Sequence, residues 1–292
     1  MPENIEFQSE GVTLRGWLFL PEGRGPHPAV AMAPGFNSVK EVFLSYQFPR
    51  VFAEAGLAVA LWDHPTCGDS DGEPRRELDP LRQQRGYRDA ITYLAGRPEV
   101  DPERIGIWGT SYSGGHVLAV AAVDRRVRCV VSQAMTVSGR DNMVARHTPA
   151  RLAELQAAFA ADRLGRMRGE APVVVPAFAQ DSDTMRQQEL LPAEHRVNWR
   201  NEITLRSWEL YNEYEPAAFI DRICPTPLLM IVPTADSMTP SVDALAAYQR
   251  ALEPKALLTV PGGHYSVYID QFEATSAAAR DWLVTHLGPT GP

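Results

Sequence analysis

Residues 104–123 constrain the fold more tightly than any other stretch of the chain. The run Arg104-Ile105-Gly106-Ile107-Trp108 reads as a buried strand and Gly114–Val123 as a helix, with only Gly109-Thr110-Ser111-Tyr112-Ser113 between them. So sharp a turn brings the two backbones close, so the residues two before and two after its apex must be small. With Ser111 at the apex these are Gly109 and Ser113, backed by Gly114 and Gly115. A turn of this kind holds the apical serine in strained geometry with its hydroxyl presented. Glycine is more usual where Ser113 stands. Taking Ser113 as the apex would start the turn two residues late, so Ser111 is the better nucleophile.

The rest of the chain alternates strands and helices. Ile5–Gln8 and Val12–Leu20 show period-two patterning around Glu10-Gly11, as an antiparallel hairpin does. Ala29–Ala33, Leu57–Trp62, Val127–Gln133, Pro227–Val232 and Ala256–Val260 are short apolar runs, suited to strands buried on both faces. Helices are expected at Phe43–Ala55, stopped by Gly56, and from Asp79-Pro80 to Ala95, with Asp79 as N-cap. Ser241–Leu252 and Phe272–Leu287 complete the set. This order predicts an α/β fold with a mostly parallel central sheet flanked by helices, the N-terminal hairpin adding antiparallel strands at one edge.

Residues 138–223 break the alternation. They offer helical stretches at Pro149–Gly165 and Asn198–Tyr214 around a short apolar run, Ala171–Phe178, which is too long for a plain connection. The expected organisation is a core of residues 1–137 and 224–292, with 138–223 as a mainly helical cap insertion over the C-terminal edge of the sheet.

A hydroxyl needs a base, and the base needs an acid to orient it. His264, in Pro261-Gly262-Gly263-His264-Tyr265-Ser266, follows the last expected strand. Asp236 follows the strand before it, with Asp243 as a fallback acid inside the next helix. Ser111, Asp236 and His264 thus all lie at C-terminal strand ends, and they form the expected catalytic triad. Pro34-Gly35-Phe36 also follows a strand, so the backbone amides of Phe36 and Tyr112 are the expected oxyanion-hole donors.

Composition narrows the remaining options. At 292 residues and 45% hydrophobic, the chain can bury a large core. A net charge of -8 argues against a nucleic-acid partner, which needs a basic face. Three cysteines, Cys67, Cys129 and Cys224, lack metal-ligand spacing and suggest a reducing compartment. No signal peptide or bilayer-length apolar run is evident, so a soluble cytoplasmic protein with no membrane partner is expected. Asp63-His64 has no further ligands at suitable spacing, so no metal or other cofactor is expected. Cys67, His116 and the arginines at 75, 76, 82, 85 and 88 read as packing or solvated surface. A homodimer is left open.

The motifs carry a resemblance. Gly16-Trp17-Leu18-Phe19-Leu20-Pro21, Pro34-Gly35-Phe36, Asp63 with Gly68–Gly72, Ile105–Gly115, Val130–Gln133 and the Asp236 and His264 segments together resemble the α/β-hydrolase superfamily. Within it they resemble the branch of fungal polyketide transferases and their bacterial hydrolase relatives. Pro34 departs from a histidine usual there, and His64-Pro65-Thr66-Cys67 from an arginine-containing loop. The turn around Ser111 is also similar to that of X-Pro dipeptidyl peptidases, which usually carry a further β-domain. The resemblance implies a serine hydrolase acting on a carboxylic ester, thioester or lactone of a small-molecule acyl substrate, or an acyltransferase using the same residues. A non-catalytic receptor on the same scaffold is the alternative from another class. Phe159, Phe178, Trp199, Trp208, Tyr211 and Tyr214 in the insertion hint at a hydrophobic substrate.

Overall fold

The computed structural model describes residues 2–42, 47–190 and 198–288, with no side-chain detail at 188–190. Strands β1 (Glu3–Ser9) and β2 (Val12–Phe19) form the antiparallel hairpin. Its turn residues, Glu10 and Gly11, both have positive φ (46° and 82°), which matches the twist of paired strands. β3 (His27–Ala33), β4 (Ala58–Trp62), β5 (Val100–Thr110), β6 (Val127–Gln133), β9 (Leu228–Pro233) and β10 (Lys255–Val260) complete one eight-stranded sheet. Its order is β1-β2-β4-β3-β5-β6-β9-β10, parallel throughout from β4 to β10.

Side-chain parity divides the core into two layers. Ala58, Ala60 and Trp62 of β4 face one apolar cluster, shared with helices α2 (Pro80–Ala95), α3 (Tyr112–Val123) and α8 (Ser241–Arg250). Val59 and Leu61 face the other, built on α1 (Gln47–Glu54) and α9 (Phe272–Leu287). There Phe48 packs 4.8 Å from the Trp108 ring and 5.0 Å from Phe272. Burying each such ring contributes roughly 1.5–3 kcal/mol, which clamps α1 and α9 to this face. Helix α2 begins where capping dictates: the Asp79 carboxylate accepts the Leu81 and Arg82 amides at 2.9 and 3.3 Å, and Pro80 occupies the first turn.

Between β6 and β9 the chain forms α4 (Gly139–Arg146), α5 (Pro149–Met167), β7 (Val174–Val175), α6 (Asp183–Leu190), β8 (Ile203–Thr204) and α7 (Leu205–Asn212). A 3-10 segment, Pro216–Ile223, follows and packs Ala217, Ile220 and Ile223 into the α3 side of the main core. Two expectations shift and one lies partly outside the described residues. The helix expected from Asn198 begins only at Leu205, because Ile203 and Thr204 instead pair with β7 in a small antiparallel ladder. Strand β5 starts earlier than Arg104, at Val100. Residues 43–46 of the helix expected at Phe43–Ala55 lie outside the described residues, and α1 is described from Gln47. Among the described residues no helix is long and apolar enough to cross a membrane.

Candidate active site

β5 ends at Thr110 and α3 begins at Tyr112, leaving Ser111 alone at the turn with φ 57° and ψ −118°. A non-glycine residue held there costs on the order of 1–3 kcal/mol, so the surroundings must impose it. They do so through β6: the Ser111 amide donates to the Gln133 carbonyl at 2.9 Å, and the Ser111 carbonyl accepts the Thr136 amide at 3.0 Å. Gly109 is required by contact, since a Cβ there would strike the Ser113 carbonyl.

Ser113 has its own role at the turn. Its hydroxyl donates to the Pro34 carbonyl at 2.5 Å and lies 2.8 Å from His64 Nε2. A hydroxyl thus ties the turn to the loop after β3, which a glycine could not do. Burial pushes His64 down to about 3, so its ring is neutral and its Nε2–H can donate to Ser113. His116 is likewise buried, between Gln83 Oε1 (2.8 Å) and the Tyr214 hydroxyl (2.7 Å).

His264 and Asp236 close on Ser111 from the loops after β10 and β9. His264 Nε2 lies 3.0 Å from Ser111 Oγ, and its Nδ1 lies 2.7 Å from Asp236 Oδ2. The other Asp236 oxygen accepts the amides of Met238 and Thr239 at 2.8 and 3.0 Å. Burial works to raise this carboxyl, but the His264 charge and the bonds from His264 and Thr239 outweigh it and hold it below the usual range. Asp236 is therefore an anion that fixes the Nδ1–H tautomer and turns the Nε2 lone pair towards Ser111. Asp243, the fallback acid, lies instead in the first turn of α8.

The amides expected to hold an oxyanion flank Ser111. Tyr112 opens α3, so its N–H belongs to the helix's unpaired first turn, at the positive end of the dipole. Gly35 approaches so closely that a Cβ there would sit 3.0 Å from the Ser111 Cβ, which brings Phe36 alongside. The Phe36 and Tyr112 rings then pack edge to face at 5.3 Å.

Ser111 stands between two small lobes. One, about 40 Å³, is lined by Gly35, Phe36, Ser38, Thr110, Phe178, Met238, His264, Tyr265 and Tyr268. The other, about 20 Å³, adds Thr136, Arg146, Trp208, Tyr211 and Thr239. Of the aromatic residues noted in the sequence, Phe178, Trp208 and Tyr211 face these lobes, while Phe159 and Tyr214 are buried elsewhere. Trp199 packs on the loop after β3, its indole N–H donating to the Asn37 carbonyl at 2.7 Å. Thr239, Tyr265 and Arg146 also line the lobes, though no sequence pattern singles them out.

Glu41, Asp63 and Asp69 are close enough together to suggest a metal site. The Lys40 ammonium already serves them, at 2.8, 2.9 and 2.5 Å respectively. Cys67 is buried with its thiol pushed up to about 12, which is the opposite of an activated thiolate.

Comparison with known proteins agrees with this architecture. The family model described as X-Pro dipeptidyl-peptidase (S15 family) matches residues 10–266. A thiohydrolase from Eupenicillium brefeldianum is 33% identical, over 91% of this chain and 88% of its own. A polyketide transferase, GrgF, from Penicillium is 31% identical, over 97% and 96%. The crystal structure of the α/β-hydrolase GrgF superposes with a TM-score of 0.84, covering 98% of this chain and 99% of that one at 30% identity. The chain belongs to the X-Pro dipeptidyl-peptidase (S15) family of the α/β-hydrolase superfamily, in the branch that holds these polyketide transferases and thiohydrolases.

Proposed function

We propose that this hydrolase- or acyltransferase-type enzyme is a serine hydrolase that cleaves a thioester, ester or lactone of a hydrophobic small molecule. The observation that carries the reading is the continuous Ser111–His264–Asp236 hydrogen-bond chain, at 3.0 and 2.7 Å, with Ser111 in strained geometry. His264 takes the Ser111 proton as Oγ attacks the acyl carbon. The Phe36 and Tyr112 amides hold the oxyanion, worth roughly 100- to 1000-fold in rate for each donor. His264 then protonates the leaving group, and water attacks the acyl-Ser111 ester to release the acid. Of the insertion expected at 138–223, the described part before the Pro216–Ile223 segment acts as a cap: Phe178, Trp208 and Tyr211 supply the apolar wall over Ser111.

The relatives named thiohydrolase and polyketide transferase make a thioester the first substrate to try, and they keep an acyltransferase in view as the second reading. The test is intact mass after fluorophosphonate treatment. One adduct on Ser111, absent in Ser111→Ala and slowed in His264→Ala, supports the serine mechanism; full labelling of Ser111→Ala rejects it. Adding an alcohol or amine acceptor to a thioester assay separates the two readings by whether acid or conjugate forms.

A further inference from the structure

The two lobes beside Ser111 are chemically unequal. His264 lines one of them and not the other. The leaving group must reach His264 Nε2 to collect its proton, so it departs through the His264 lobe. The acyl group is therefore left with the second lobe, whose walls include Phe36, Trp208 and Tyr211 and whose rim carries Arg146.

Arg146 is held there by its helix. α4 is capped by the Ser138 hydroxyl, which accepts the Asp141 amide at 3.0 Å. It docks on α7 through Asn142, whose Nδ2 donates to the Tyr211 hydroxyl at 2.7 Å. Two other arginines of this segment are already occupied: Arg151 with Glu154 at 2.9 Å, and Arg166 with Asp162 at 2.8 Å. No carboxylate among the described residues forms an ion pair with Arg146. Burial pushes the Tyr211 and Tyr265 phenols up, while the Arg146 charge lowers and the Asp236 charge raises both. A place in the last turn of α4 suits a cation through the helix dipole, but that needs only the position, not a side chain on the cavity wall.

We propose that Arg146 is a specificity-determining residue that recognises a carboxylate on the acyl half of the substrate. The preferred substrate is then a thioester or ester of a dicarboxylic acid, with its free carboxylate paired to the guanidinium, a geometry arginine favours. This rests on the serine mechanism proposed above, because it takes the leaving-group side from the position of His264.

The test uses N-acetylcysteamine thioesters of succinic, glutaric and adipic acids, each against its neutral ω-carboxamide counterpart. Expected is a kcat/KM preference of tenfold or more for the anion at one chain length. That ratio should fall at least fivefold in Arg146→Gln and be partly kept in Arg146→Lys. No preference in the wild type, or an equal preference in Arg146→Gln, overturns the proposal. Failure of the underlying mechanism shows separately, as no fluorophosphonate adduct on Ser111 and no turnover of any thioester. Calorimetry with the free dicarboxylates then decides the anion site by itself: binding weakened in Arg146→Gln upholds it, and equal or absent binding in both proteins overturns it.

Discussion

Lys40 and Asp63 form a double contact that fixes the loop carrying Phe36. The Lys40 ammonium lies 2.9 Å from one Asp63 oxygen, and the Lys40 amide donates to the other at 2.7 Å. Asp63 sits at the C-terminal end of β4 and is fully buried; Lys40 is nearly so. The three carboxylates around the ammonium, with the Trp17 ring 5.1 Å away, offset the cost of burying it. Removing one partner leaves the other buried and uncompensated. Lys40→Met should therefore destabilise the fold by about 3–5 kcal/mol, read as a lower urea midpoint. A loss below about 1 kcal/mol would mean that Asp63 is rescued by water or by protonation.

The same loop is gripped from the other side. Trp199 donates to the Asn37 carbonyl, and Asn37 Nδ2 donates to the Arg200 carbonyl at 3.0 Å, while Asn37 itself holds a positive φ of 48°. Asn37 directly follows Phe36, so this grip sets how the proposed oxyanion donor is aimed. Trp199→Phe keeps a ring and deletes one hydrogen bond, worth about 0.5–1.5 kcal/mol. The expected result is a kcat lower by roughly two- to tenfold with KM little changed. A change in KM alone would assign Trp199 to substrate contact instead.

What the sequence could and could not announce follows from how local each feature is. The turn at Ser111 is dictated by sterics within five residues, and its helix follows at once, so it can be read directly. Asp236 and His264 lie on loops after strands, a placement that parallel topology brings to one sheet edge. The Lys40 cluster joins residues 40, 41, 63 and 69, which meet only when two loops pack together. Ile203–Thr204 carries a helix-compatible pattern that pairing with Val174–Val175 overrides. Arg146 gains its meaning from the docking of α4 on α7, and no spacing rule encodes that.

Buried neutral histidines give the fold a pH dependence that can be signed in advance. His64 is pushed down to about 3 by burial, and His116 is lowered well below its ordinary value by burial and by His64. The unfolded chain binds these protons near pH 6.5, while the folded one resists them. The contribution of these histidines is therefore complete above about pH 6.5 and declines below it, by up to about 1.4 kcal/mol per pH unit for each, opposed below about pH 6 by Asp63, whose carboxyl burial raises to about 6. Asp236, held below its ordinary value, acts in the same direction but in a lower window, below about pH 4. Urea midpoints at pH 7.5, 6.0 and 5.0 read the slope. In His64→Gln it should become shallower; an unchanged slope would mean that His64 takes up its proton inside the fold.

Ser113 provides the sharpest check on which serine reacts, because the two hydroxyls lie two residues apart and both have a histidine within 3.0 Å. Their surroundings differ. Ser113 is fully buried and already donates to the Pro34 carbonyl, and its histidine neighbour has no carboxylate partner among the described residues. Ser111 lines both lobes and faces a histidine oriented by Asp236. Ser113→Gly restores the small residue that turns of this kind usually carry, but it removes the hydroxyl from both the Pro34 carbonyl and His64 Nε2, leaving those two their direct 3.2 Å contact. The expected cost is about 0.5–1.5 kcal/mol in stability, with fluorophosphonate labelling of Ser111 retained. Ser111→Ala should fold normally or gain stability, since it removes only a hydroxyl from a strained position, and should label at neither serine. An adduct on Ser113 in the Ser111→Ala protein would reverse the assignment and make His64, not His264, the base.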